Sequence, residues 1–265
     1  MEFAGEVAEV GAAVRLWKVG QRVFGLLGGA GQAEYIATHE LLLAEIPANL
    51  NWAEAAAIPE VFITAHDALW VQTRLRPGET VLINAVGSGV GLAAVQVARA
   101  IQAVPFGTSR TPDKIDEARK YGLEAGLVVR ESLDELVTSA EKWTGGKGIN
   151  VMIDLVGGPY INAAQKLLAP KGRLILVGTV GGAKADLEVR YVMSKRLEIR
   201  GTVLRARSFD EKAAVTRAFA TEVVPLLASG VLRPTIDSKF PLAEIGKAHA
   251  RLESNETVGK VVIEI

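Results

Sequence analysis

From Thr80 to Leu204 the chain alternates β-rich apolar runs with helical stretches, and this alternation restricts its fold more than any other feature. TVLIN (80–84) precedes a helix over 90–101, AVPFGT (103–108) one over 112–121, GLVV (126–129) one over 132–143, and NVMIDLVG (150–157) one over 160–168. RLILVG and LEIRGTVL follow, and a further helix is predicted over 210–228. Strands separated by helices of that length cannot pair as hairpins; they build βαβ crossovers and a parallel sheet. Two sets of three strands predict a doubly wound α/β domain.

The rest of the chain reads differently. Residues 1–50 carry short alternating segments, EVAEV, QRVFGLL and AEYIAT, punctuated by Gly11, Gly20, Gly28, Gly29 and Gly31, as in a piece of antiparallel barrel. After Gly230 a segment through Ile236, a short helix over 242–253 and a final strand, KVVIEI, is too short for a domain and is expected to pack back on the barrel piece. The boundaries are therefore 1–65 for the partial barrel, 66–205 for the parallel domain, 206–230 for its last helix and 231–265 for the returning segment.

The stretch NAVGSGVGLAAVQVARA (84–100) sits after the first strand of the first βαβ unit and opens its helix. At that place a helix N-terminus offers unpaired N–H groups and partial positive charge to a pyrophosphate. Two frames fit, Gly89-x-Gly91-x-x-Ala94 and Ala85-x-x-Ser88-x-x-Gly91; the second places the last glycine earlier in the helix and is preferred. No Gly-Lys-Ser/Thr follows, which excludes a Walker loop. The end of the second strand indicates which dinucleotide. An NAD site places an acid about 20 residues past the loop, on the ribose 2′-hydroxyl. Here GTSRTPDK has no acid before Asp113, and Arg110 and Lys114 flank Thr111. Such a set suits a 2′-phosphate through charge-assisted bonds, so the expected cofactor is NADPH. The missing acid also disfavours a methyltransferase.

Composition removes other classes. Thirty basic residues balance thirty acidic ones, which favours neither nucleic acid nor an anionic membrane as partner. There is no cysteine, hence no disulfide, thiol nucleophile or thiolate-bound zinc. No apolar run reaches membrane-spanning length and MEFAGEV is not a signal peptide, so the chain reads as a cytoplasmic protein. The three histidines, His39, His66 and His249, are far apart and read as structural, as does Tyr35 in the barrel piece. Asp154 reads as a turn-capping carboxylate, and Arg205 and Arg207 as cations at a strand end.

On these residues the sequence resembles the zinc-free quinone oxidoreductase branch of the medium-chain dehydrogenase/reductases, and within it the stress-inducible NADPH quinone oxidoreductases. Glu2, Gly5 and Gly11 match the family's Glu-x-x-Gly-x5-Gly barrel segment, and Gly89, Gly91, Gln96 and Arg99 its Gly-x-Gly-x4-Gln-x-x-Arg/Lys signature. GGAGQAEY, AAAIPEVFITAHDAL, IDLVGG, LVGTVGG, TVLRARS and KAHARLESNETVGKVVI are similar to further segments, so the likeness spans the whole chain. It implies a Rossmann sheet joined to an incomplete GroES-like barrel, and reduction of quinones or α,β-unsaturated carbonyls by hydride transfer. It also implies a metal-free site, since zinc-binding cousins place a His before that first Glu, where this chain has Met1. By the resemblance Ser88, Gly89 and Val90 contact the pyrophosphate, with Lys260 reaching it. Arg110, Thr111 and Lys114 take the 2′-phosphate and Val156 lies by the adenosine, while Gly178, Thr179, Leu204 and Thr64 flank the nicotinamide. A homodimer through the sheet-edge strand around Gly201 to Leu204 is implied as well. No catalytic side chain is assigned, and the proton is expected from solvent.

Two departures stand out. The family's Tyr after the third strand is Val129 here. Relatives also carry roughly 60 further residues before the Glu2 motif, the opening barrel strands on the substrate side, so the chain is short for its class. Met1 is then an internal methionine or the start of a short form, for which the alternative function is NADPH binding without turnover, as a sensor or interaction protein.

Overall fold

The structure is a computed structural model that describes residues 1–130 and 133–265; the start expected at 132 for one helix falls outside them. Along the chain come β1 (Glu2–Glu6), β2 (Arg22–Leu26), β3 (Leu43–Glu45), α1 (Trp52–Ala56) and α2 (Pro59–His66). Next are β4 (Thr80–Ile83), α3 (Gly89–Ala100), β5 (Val104–Ser109), α4 (Pro112–Lys120), β6 (Ala125–Val128) and α5 (Asp134–Thr144). Then follow β7 (Ile149–Asp154), α6 (Pro159–Leu167), β8 (Leu168–Leu176), α7 (Val189–Lys195) and β9 (Glu198–Gly201). The chain closes with α8 (Phe209–Glu222), α9 (Val224–Ala228), β10 (Ile236–Pro241), α10 (Ile245–Glu253) and β11 (Lys260–Glu264). It divides into two compact units, Ala65–Val203 and a second made of Met1–Thr64 with Leu204–Ile265.

In the unit Ala65–Val203 the six strands form one sheet in the order β6-β5-β4-β7-β8-β9, every neighbouring pair parallel. This is the doubly wound arrangement expected. The chain starts at the centre, winds outward to β6, then returns to the other side of β4, so the order reverses between β4 and β7. The carboxyl ends of those two strands flank the crevice where such sheets bind ligands. β7 is mostly apolar because helices cover both faces: Ile149 and Met152 are buried with Leu82, Phe106, Leu136 and Leu174, and Phe106 stacks on Trp143 at 5.0 Å. Full burial of each such side chain stabilises the fold by about 1.5–3 kcal/mol. The short helix α7 was not anticipated; its Val189 and Met193 are exposed, so it has no apolar stripe to read.

The other unit holds an antiparallel sheet, β1-β2-β3, and a parallel pair, β10-β11. Of the three expected barrel segments only QRVFGLL contributes a strand; EVAEV shares just Glu6 with β1, which lies earlier in the chain, and AEYIAT forms none. The ladders on both sides of β2 are taken by β1 and β3, and Tyr35 is 80% exposed rather than packed in a strand. The helix expected over 206–230 as the last of the parallel domain is corrected twice. It breaks at Val223, because Pro225 in the next turn lacks an N–H and starts a new helix, α9. It also belongs with the barrel unit: Phe219 is fully buried edge-on to Phe24 at 5.7 Å, and Asn49 Nδ2 donates to the Leu227 carbonyl at 3.0 Å. The returning segment packs in the same unit, with Val262 of β11 against Ala53 and Ala57.

Candidate functional site

The glycine loop leaves β4 at the sheet's carboxyl edge. Ser88 is extended and caps α3: its Oγ accepts the Gly91 N–H at 3.1 Å. The preceding first-turn amides, Gly89 and Val90, lie outside the helix's own bonding, partly exposed, at the positive end of the dipole. No acidic side chain occupies that first turn. Gly91 is required by packing, since a Cβ there would lie 2.5 Å from the Ala85 carbonyl oxygen and 2.6 Å from that of Val86. This is the role the Ser88-x-x-Gly91 frame anticipates. At Gly87 a Cβ would run into the aliphatic stem of Lys114 at 2.6–2.9 Å, so that stem lies on the loop.

Beyond β5, Arg110 is exposed, Thr111 immediately precedes α4 without a side-chain bond to it, and Lys114 is partly buried. The Thr111 hydroxyl lies beside the Asp113 carboxyl and holds it below its ordinary value. Apart from that neighbour, Thr111 Oγ1 is buried without a hydrogen-bond partner. An orphaned hydroxyl, a lysine laid over a glycine loop and open helix N–H groups form a donor set that fits a phosphorylated dinucleotide. Across the crevice, Val156 and Gly178 are partly buried and Thr179 is exposed in the loops after β7 and β8. Gly178 allows a close approach there: a Cβ would meet the Leu155 carbonyl oxygen at 2.5 Å.

The remaining expected residues belong to the barrel unit. Thr64 is buried in α2, and Leu204 lines a cavity of about 250 Å³ with Leu26, Thr38, His39 and Glu60. Lys260 forms an ion pair with Glu2, so within its unit the ammonium is engaged by a carboxylate. Of the histidines, His39 accepts the Leu41 N–H through Nδ1 and packs edge-on against Phe209, His66 is buried and His249 is exposed. Arg205 is exposed and Arg207 partly so.

Glu60 was not singled out from sequence, although a carboxylate in the apolar stretch PEVFITAH is the signal that marks it. Its Oε2 is buried without a partner in the cavity wall, and burial, then the Glu2 carboxylate, raise its pKa above 4.5. An acid whose folded pKa is raised binds its proton more tightly folded than unfolded. Stability therefore falls as pH climbs from about 4.5 to the raised value and is level above it. Glu60→Gln is expected to remove this slope and to melt a few degrees higher at neutral pH; thermal melts across that window check it. Parallel profiles for the two proteins would contradict it.

Among the described residues no three His, Asp or Glu side chains are grouped to hold a metal ion, and no helix is long and apolar enough to cross a membrane. A family model described as zinc-binding dehydrogenase matches residues 89–221, half of the chain. The quinone oxidoreductase of Lama guanicoe is 32% identical over 268 residues, covering 99% of this chain and 78% of its own. The chain belongs to the quinone oxidoreductase branch of the medium-chain dehydrogenase/reductases. Among solved structures of that fold, a mycobacterial protein in complex with NADPH superposes with a TM-score of 0.90 at 26% identity, over 100% of this chain and 81% of its own. The CurK enoyl reductase does so with a TM-score of 0.85 at 30% identity, over 99% and 78%.

Proposed function

We propose that this quinone oxidoreductase relative is an NADPH-dependent, metal-free reductase of quinones or α,β-unsaturated carbonyls. The observation that carries the reading is the end of β5, where Arg110, Thr111 and Lys114 stand where an NAD site would present an acid, in a chain 32% identical to a quinone oxidoreductase. The complex of the mycobacterial neighbour with NADPH and the enoyl reductase fold-mate support the cofactor and the second acceptor class.

NADPH, when bound, supplies the hydride. The residues of this chain bind and orient. The first-turn amides of α3, with Ser88, Gly89 and Val90, hold the pyrophosphate, and Arg110, Thr111 and Lys114 hold the 2′-phosphate. Val156 covers the adenosine half, and Gly178 and Thr179 serve the nicotinamide end; of the barrel unit's residues, Thr64 and Leu204 are assigned to the nicotinamide and Lys260 to the pyrophosphate. Such orientation accounts for the protein's share of the rate without a named acid, the proton coming from solvent. The homodimer contact expected around Gly201 to Leu204 would run along β9, the sheet's last strand, which ends at Gly201. Purified protein mixed with NADPH and an ortho-quinone, or an enone, is expected to lose absorbance at 340 nm. Binding of NADPH without oxidation by either acceptor class would overturn the reductase reading, and absence of binding the cofactor assignment too.

A further inference from the structure

Three polar side chains are buried in a row at the carboxyl edge of the parallel sheet, each on a different strand path. Thr108 on β5 donates through Oγ1 to Asn84 Oδ1 at 3.0 Å. Asn84, directly after β4, donates through Nδ2 to Asp154 Oδ1 at 2.9 Å. Asp154, the last residue of β7, accepts the Val156 N–H on Oδ1 at 3.1 Å and the Gly157 N–H on Oδ2 at 2.9 Å. Its backbone carbonyl also accepts from Val177 at 2.8 Å and Gly178 at 3.3 Å. All three side chains are essentially solvent-free. The row crosses the point where the strand order reverses, and every polar atom in it has a partner, which a buried network requires to be stabilising.

We infer that Asp154 is the positioning residue of this site, holding the loops on both sides of the crevice in one fixed geometry; the inference rests on the cofactor reading above. Through Asn84 it reaches the start of the glycine loop, where Ala85 is held at φ 51°. That left-handed conformation is strained for an L-residue and persists only where its surroundings enforce it. Here Val86 donates to the Thr108 carbonyl and Ser88 to that of Ala85, both within 3.0 Å. Through its own carboxylate Asp154 fixes Val156 and Gly157, and through its carbonyl the segment at Gly178. A turn-capping role alone would need only the Val156 and Gly157 bonds. The bond to Asn84 ties that turn to the glycine loop, 70 residues away in sequence.

The test uses the full chain with Asp154→Asn and with the exchange Asn84→Asp/Asp154→Asn. In the single variant an amide N–H₂ faces either Asn84 Nδ2 or a loop N–H, donor against donor. The exchange restores the side-chain bond between the strands, now from residue 154 to residue 84, but not full acceptance of the Val156 and Gly157 amides. Melting temperature, amide hydrogen exchange of residues 155–158 without ligand, and NADPH affinity by calorimetry are measured together. The expected result is that the exchange recovers most of the melting temperature lost by the single variant. Loop amides in both variants should exchange about tenfold or more faster, with NADPH bound roughly 10–100-fold more weakly, the scale of hydrogen bonds to a charged group. Wild-type exchange rates at those amides would overturn the inference, whatever NADPH does. If wild-type protein binds no NADPH, the cofactor reading fails, and the ligand-free exchange data still decide whether Asp154 holds the loops.

Discussion

Gly91→Ala should lower the melting temperature by about 6–12 °C, and Gly91→Val should leave little soluble protein. The added Cβ would meet two backbone carbonyl oxygens, of Ala85 and Val86, at 2.5 and 2.6 Å. Neither is the free end of a side chain. The Ala85 carbonyl accepts from Ser88, and the loop it belongs to is pinned to Thr108 through Val86. Relief has to come from lifting α3 off the sheet, and α3 buries Leu92, Ala93, Ala94, Val95, Val97 and Ala98. Overpacking of this kind costs about 1–3 kcal/mol where side chains can adjust, and the upper end applies where they cannot. At about 2–4 °C per kcal/mol for a protein of this size, that is the shift given for alanine. Valine adds two methyl groups to the same gap, against a total stability of only about 5–15 kcal/mol. Gly5→Ala is the control, because a Cβ there meets nothing within 4 Å. Thermal melts and soluble yields read both. An alanine variant melting with wild type would mean that the helix approaches the sheet less closely than these distances require.

The parallel sheet was legible because the signals that build it are local and strong. Each of β4, β5 and β7 is a largely apolar run rather than an alternation of apolar and polar residues, and each is followed by a helix whose cap or proline stands in place, Ser88 for α3 and Pro112 for α4. The frame of the glycine loop was legible for the same reason, since Ser88 and Gly91 are three residues apart and their bond is a local one. Contacts that join distant parts of the sequence were not legible. Asn84 closes the opening run and Thr108 the second, but their bond, and that of Asn84 to Asp154, span 24 and 70 residues. A polar residue ending an apolar strand is the available signal, and it reads equally as a turn. Resemblance assigns Lys260 to a phosphate, while its pairing with Glu2 across 258 residues has no trace in either neighbourhood. Sequence alone points α8 to the parallel domain because its alternation with β9 continues the βαβ rhythm. What places it in the other unit is Phe219 meeting Phe24, which no local period encodes.

Lys114→Met should cost NADPH about 10–100-fold in affinity while NADH is nearly unchanged. Methionine rather than alanine is the informative choice, because the Lys114 stem lies on Gly87 and its removal would disturb a loop that both cofactors share. Methionine keeps most of the stem and deletes the charge. A charge-assisted bond to phosphate contributes about 1.5–3 kcal/mol, which sets the range. Arg110 is more exposed than Lys114, so its attraction is more strongly screened, and Arg110→Ala should cost less and vary more with salt. The double variant is expected to bind the two cofactors about equally. Thr111→Val separates charge from the buried hydroxyl: beyond its effect on the exposed Asp113 carboxyl, Thr111 Oγ1 has no hydrogen-bond partner, so its loss should cost little stability yet weaken NADPH. Dissociation constants for both cofactors across this series, each at low and high salt, form the measurement. Equal weakening of NADPH and NADH by Lys114→Met would place the 2′-phosphate elsewhere, and the end of β5 would then be a solvated helix start whose cations serve no ligand.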